Sequence, residues 1–141
     1  MACSLFTSFG YFEQEEDDLR VLRNVRESLR PGGIFVIDIV SKEKVARNWA
    51  PVLCQEFPDG ALLIQRPQIR NDWTRCHVEW TLLRDGRART FQFEHNLYSG
   101  RELKDRLRLS GFHEVQLFGD LEGAPYGLEA KRLVAMARKE P

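Results

Sequence analysis

An α/β fold is predicted by three observations. Glu15 to Leu29 carries a helical apolar stripe, Pro31-Gly32-Gly33 stops it, and Ile34 to Val40 is an apolar run without alternation. A strand apolar on both faces belongs inside a parallel sheet covered by helices. Between residues 52 and 97 the apolar period changes to two, which marks a separate antiparallel sheet.

Taken in order, Ala2 to Thr7 has the composition of a buried strand, and Ser8 to Phe12 forms the loop after it. Glu15, Glu16, Asp17 and Asp18 then load the first turn of a helix, where its dipole favours negative charge. Leu19, Leu22, Val25 and Leu29 recur at helical spacing and face a core. Lys42 to Trp49 is a second, short helical pattern. Val52 to Phe57, Ala61 to Asn71, Thr74 to Leu83 and Ala88 to Leu97 follow as strands.

Asp85-Gly86 between alternating runs is the strongest short-range hairpin signal. A two-residue loop there sets Trp80 opposite Phe91, Val78 opposite Phe93, Cys76 opposite His95 and His77 opposite Glu94. Pro67 cannot donate to a ladder, so its strand lies at an edge or is bulged. Ser99 with Glu102 is a capping box that opens a third helix, which Gly111 closes. His113 to Phe118 and Arg132 to Arg138 are the last two strands, and the helix-free loop between them predicts antiparallel pairing.

The chain has 141 residues, 43% apolar and 30% charged, which suits one soluble domain, here residues 1–141. Formal net charge is zero, so no global attraction to nucleic acid or to a membrane surface is expected. Balanced charge also tolerates self-association. Cys3, Cys54 and Cys76 are odd in number and form no CxxC. Buried thiols in a reducing cytoplasm are expected, with no metal site. No apolar run near 18 residues occurs, and no secretory leader is expected.

Open α/β sheets bind ligands at the carboxyl ends of their strands, which makes Ser8 to Phe12 the first functional candidate. Phe9, Tyr11 and Phe12 alternatively pack the helix onto the sheet, the role favoured for Phe12. His95 and His77 are titratable candidates in the antiparallel sheet. His77 opposite Glu94 reads as a surface pair, and His95, in a row with Phe91 and Phe93, as a half-buried histidine or a catalytic one. Trp80, Phe91 and Phe93 form an aromatic wall that either covers core or surrounds a substrate. Asp38, inside an apolar strand, needs a partner.

The stretches SLFTSFGYF, LRPGGIFVIDIV, ELKDRLRLSGF, VQLFGDL and RLVAMARK together resemble class I S-adenosylmethionine-dependent methyltransferases. More narrowly, the chain looks like the small-molecule N-methyltransferases with an antiparallel lid inserted after the fifth strand. The resemblance implies a Rossmann-like sheet of strand order 3-2-1-4-5-7-6, of which this sequence supplies the family's strands 4, 5, 7 and 6. Residues 1–50 and 98–141 would form that half sheet, and residues 51–97 the lid. Strands 1 to 3 have no counterpart, and no GxGxG occurs. The glycine-rich cofactor loop and the acidic residue that holds the ribose are therefore missing from this sequence.

The resemblance further implies S-adenosylmethionine as cofactor, touched by Leu5, Phe6 and Ser8. Tyr11 stands where some relatives carry a histidine near the acceptor amine, so it and His95 are the catalytic candidates. Trp80, Phe91 and Phe93 would be substrate-binding. A truncated chain of this kind is expected to be weak or inactive alone. The alternative is a non-catalytic module without cofactor. Either way, the exposed strand-4 side predicts a homodimer.

Overall fold

Residues 1–141 are described by a computed structural model that contains two four-stranded sheets. The first sheet has β1 (Ala2–Ser4) beside β2 (Ile34–Ile39), then β8 (Leu133–Arg138), then β7 (Glu114–Phe118). β1 runs parallel to β2, while β8 is antiparallel to both of its neighbours. This is the 4-5-7-6 order and sense that the family resemblance implies.

Helices α1 (Glu15–Ser28) and α3 (Gly100–Leu109) cover one face of this sheet. Phe35, Ile37 and Ile39 of β2 point into that face and meet Leu22 and Leu29 from the first helical segment and Leu103 and Leu107 from α3. Each of these residues buries an apolar side chain worth about 1.5–3 kcal/mol relative to exposure. The opposite face carries Cys3, Val36, Met136 and Gln116 in one cross-strand row and has no helix on it. The helix cover expected for this strand is therefore present on one side alone: along this row the other face is exposed or half-buried, while Asp38 and Val134 further along it are buried.

Local signals account for the element ends. Leu29 caps α1, and the chain turns so tightly at Gly33 that any Cβ there would lie 2.7 Å from the Arg30 carbonyl oxygen. α3 begins with the full capping box, Ser99 Oγ accepting from the Glu102 amide and Glu102 accepting from the Ser99 amide. The short α2 (Lys42–Arg47) is capped by Ser41, whose hydroxyl accepts from the Lys44 amide.

The second sheet is a meander of β3 (Leu53–Glu56), β4 (Leu62–Arg70), β5 (Arg75–Arg84) and β6 (Arg87–Asn96). The β5–β6 register pairs Trp80 with Phe91, Val78 with Phe93, Cys76 with His95 and His77 with Glu94, as the Asp-Gly loop predicts. Asp85 and Gly86 both have positive φ, 51° and 68°, the conformation of a two-residue hairpin turn. Gly86 has open space where a Cβ would stand, so Gly86→Ala tests backbone strain alone. It should cost about 1 kcal/mol, read from the urea midpoint. An unchanged midpoint would contradict the strain.

Pro67 pairs with Val78 without a bulge. β4 is an inner strand, but β3 reaches only as far as Gln65, so Pro67 stands on an uncovered stretch. The edge condition is met locally by the shortness of β3.

Two further expectations are corrected. β1 stops at Ser4 rather than Thr7, because Phe6 and Thr7 both turn to φ 56° and Phe6 is mostly exposed. Only Cys76 is a buried thiol; Cys3 lies exposed on the edge strand and Cys54 exposed on β3.

Candidate functional site

The turn after β1 is held by a buried charge. Asp38, in β2, is almost fully buried, and its Oδ1 accepts from Arg132 Nε at 2.6 Å. Its Oδ2 accepts from the Phe6 amide at 3.1 Å, and its backbone carbonyl accepts from the Thr7 amide at 3.0 Å. Arg132 also donates to Thr7 Oγ1 at 2.9 Å, and that hydroxyl accepts from the Val40 amide. The Asp38 partner that the sequence demanded is thus Arg132, 94 residues away. Two consecutive left-handed residues cost about 1–2 kcal/mol each, and this network offsets the strain.

A second network fixes the loop that carries Tyr11. Asn96, at the end of β6, donates to the Phe12 carbonyl at 3.2 Å and to Asp18 Oδ2 at 2.7 Å. Its backbone amide donates to the Gly10 carbonyl at 2.6 Å, and its side-chain oxygen accepts from Arg75 at 2.8 Å. Tyr98 donates to the same Asp18 oxygen at 2.5 Å, leaving Asp18 Oδ1 buried without a partner. Phe9 packs on Tyr98, with ring centroids 5.8 Å apart. Phe12 remains half-exposed, so its packing role is corrected: its carbonyl, not its ring, is what the fold uses.

Between the end of β1 and β2 and the inner face of the meander lies a cavity of about 420 Å³. Strand alternation places Cys76, Val78 and Trp80 of β5 on the same face as Phe93 and His95 of β6, and this face forms one wall. Phe6, Thr7, Tyr11, Val40, α2 with the residues after it, and Gln65 and Pro67 of β4 supply the rest. Trp80 stands edge-on to Phe93 at 5.0 Å, the diagonal neighbour rather than the facing Phe91. Tyr11 lies tilted against Phe93 at 6.1 Å and against His95 at 5.8 Å.

Of the residues singled out from sequence, Phe6, Tyr11, Trp80, Phe93 and His95 line this cavity together. Leu5, Ser8 and Phe91 do not. Leu5 is half-buried beneath the turn, Ser8 is exposed with its hydroxyl 3.1 Å from Ser4 Oγ, and Phe91 extends the aromatic row toward solvent. His77 pairs with Glu94 at 3.2 Å on the opposite, wet face, where Arg70 and Arg75 share the same carboxylate. Sequence reasoning missed Thr7, Lys44 and Trp49, all of which line the cavity. Thr7 read only as the end of a strand, and Lys44 and Trp49 only as parts of a short helical pattern.

Burial holds the Tyr11 phenol above its ordinary range, the Cys76 thiol likewise, and the His95 imidazole below its usual 6.5. All three are therefore uncharged at neutral pH. Because the unfolded chain binds the His95 proton more tightly, neutral His95 contributes stability fully above about 6.5, and this is lost as pH falls below it. His95→Gln should accordingly lose less stability on acidification than the parent chain, measured by urea midpoints at neutral and mildly acidic pH. Equal acid losses would contradict this. No group of three or more potential metal ligands is present, and no helix is long and apolar enough to cross a membrane.

No family profile matches the chain, and no curated protein sequence does. Among solved structures, the CcbJ methyltransferase from Streptomyces caelestis superposes on 99% of this chain with a TM-score of 0.84 at 18% identity. An S-adenosylmethionine-dependent methyltransferase from Clostridium acetobutylicum covers 99% with a TM-score of 0.82 at 15% identity. This is a partial class I methyltransferase fold. CalS10, an amino pentose methyltransferase from Micromonospora echinaspora with S-adenosylmethionine bound, is similar over 98% at a TM-score of 0.67 and 16% identity. The chain spans 56%, 57% and 57% of the lengths of these three proteins. On the methyltransferase fold, β1 and β2 take the places of the fourth and fifth strands, with the meander inserted after the fifth.

Proposed function

We propose that this chain is the acceptor-binding part of an S-adenosylmethionine-dependent methyltransferase acting on a small molecule. The observation that carries the reading is the cavity itself. It lies at the carboxyl ends of β1 and β2, where α/β sheets bind ligands, and is walled by aromatic side chains from an inserted sheet.

Within it, the Tyr11 hydroxyl orients the acceptor by hydrogen bond, its raised pKa making it a poor base at neutral pH. Neutral His95 accepts a proton from the acceptor's nucleophilic atom. Trp80 and Phe93 hold the acceptor's apolar body and exclude water.

S-adenosylmethionine, when bound, supplies an electrophilic methyl group. The residues present do not form its cradle. The Phe6, Thr7 and Ser8 amides are all taken by acceptors of this chain, Asp38 Oδ2, the Asp38 carbonyl and the Leu5 carbonyl. In this reading Leu5, Phe6 and Ser8 offer the cofactor surface alone, and its binding donors come from residues beyond this sequence. The chain alone is therefore a weak or inactive enzyme. Sequencing the native transcript tests this: an in-frame glycine-rich strand–loop–helix ahead of Met1 is expected. A transcript with no such segment, from a gene with no second chain to supply it, would overturn it.

A second reading, a non-catalytic self-associating module, is favoured by the open sheet face and by the three-residue edge strand β1. On its own, under either reading, the chain is a homodimer that meets through the uncovered β1 side, in the reducing cytoplasm that the three free cysteines suit. Light scattering at micromolar concentration should give a dimer mass; a monomer mass would contradict it.

A further inference from the structure

The cavity wall contains one charged side chain, and it is a cation. Lys44 lines the cavity, whereas no carboxylate does. Its ammonium donates to the Lys131 carbonyl and pairs with no acidic side chain. The nearby acid, Asp38, has both oxygens engaged, one by Arg132 and one by the Phe6 amide. Lys44 also borders a second recess of about 320 Å³, to which Arg47 contributes a guanidinium that donates only to the Ala130 carbonyl, at 3.1 Å. Glu43 borders this recess too, and accepts from the Gly100 amide at 3.0 Å. Burial, then the charges of Arg132 and Arg47, hold the Lys44 ammonium below the usual lysine range.

Lys44, Arg47 and Arg132 outnumber the nearby carboxylates Asp38 and Glu43 by one charge, and neither carboxylate is hydrogen-bonded to the half-buried Lys44 ammonium, so the local field is positive. A ligand anion there would form a charge-assisted hydrogen bond in a partly desolvated place, where such bonds are strong. The aromatic rings of the meander line the same cavity as Lys44. We propose that the acceptor is an amphipathic anion: an aromatic or apolar body against Trp80, Phe93 and Tyr11, with a carboxylate, phosphate or sulfonate group at Lys44. A cationic group at that end is rejected by the same field. This assignment names the substrate class of the cavity and rests on its reading as an acceptor site.

The test needs no cofactor. Anilinonaphthalene sulfonate and N-phenylnaphthylamine share one ring system and differ in the sulfonate, and both report apolar binding by fluorescence. The parent chain should bind the sulfonate saturably, one per chain, and more tightly than the neutral dye. Lys44→Met should weaken the sulfonate about tenfold or more and leave the neutral dye unchanged, as loss of a charged hydrogen bond requires. Lys44→Arg, which keeps the charge, should restore the sulfonate. Unchanged sulfonate binding in Lys44→Met, or an equal loss of both dyes, would overturn the assignment. Because S-adenosylmethionine is absent from the titration, failure here leaves the methyltransferase reading standing, and failure of cofactor binding leaves this result standing.

Discussion

Arg132→Met is expected to lower the unfolding free energy by about 3 kcal/mol, in the range for breaking a buried ion pair from one side. Methionine keeps much of the side-chain volume, so the loss reports charge rather than a void. Asp38 would then hold a nearly buried carboxylate whose remaining side-chain contact is the Phe6 amide. Thr7 would lose its Arg132 contact as well, and the left-handed turn at Phe6 and Thr7 would lose much of what holds it. Urea denaturation measures the stability. Anilinonaphthalene sulfonate binding should weaken in parallel, because both turn residues line the cavity. A loss below 1 kcal/mol would mean that the turn is held by its backbone bonds alone.

Asn96→Ala is the second large effect, again about 3 kcal/mol. The substitution removes three side-chain hydrogen bonds at once, to Asp18, to the Phe12 carbonyl and from Arg75. Asp18 is fully buried and already has one oxygen without a partner, so losing the Asn96 donor leaves Tyr98 as its remaining hydrogen-bond partner. Unsatisfied buried groups cost about 1–3 kcal/mol each, more when charged. Burial, then the Asp18 carboxylate, already hold the Tyr98 phenol far above its ordinary range, so it remains a donor across the accessible pH range. Tyr98→Phe in the same background should then cost more than in the parent chain, since it removes the last donor to one buried carboxylate. Strict additivity of the two losses would contradict a shared network.

Much of the fold was legible because it rests on local chemistry. The Asp85-Gly86 turn fixes a ten-residue register, since a slip of one position would exchange its two faces. Ser99 and Glu102 announce α3, and the loop between β7 and β8 forces their antiparallel pairing. The cavity was legible in part for the same reason. Once the register is known, alternation puts Trp80, Phe93 and His95 on one face.

What escaped sequence reading depends on distant partners. Asp18 looked like one of four acids in a helix start, yet Asn96 and Tyr98 draw it into the core from 78 and 80 residues away. The turn at Phe6 and Thr7 carries no glycine and reads as continued strand; only the Asp38–Arg132 pair makes it affordable. Lys44 is one of several charged residues on a six-residue helix, and only the packing of that helix against the cavity distinguishes it.

The most direct test of the central claim is a calorimetric titration with S-adenosylmethionine on two samples. One is this chain alone, and the other is this chain joined at Met1 to the remaining part of the Streptomyces caelestis methyltransferase, the part that this chain does not cover. The chain alone should give no saturable heat up to millimolar ligand, whereas the joined protein should bind one cofactor per chain. Saturable binding by the chain alone would show a complete cofactor site within these residues. A folded joined protein that binds no cofactor would show that β1, β2 and the turn after β1 no longer complete a methyltransferase site.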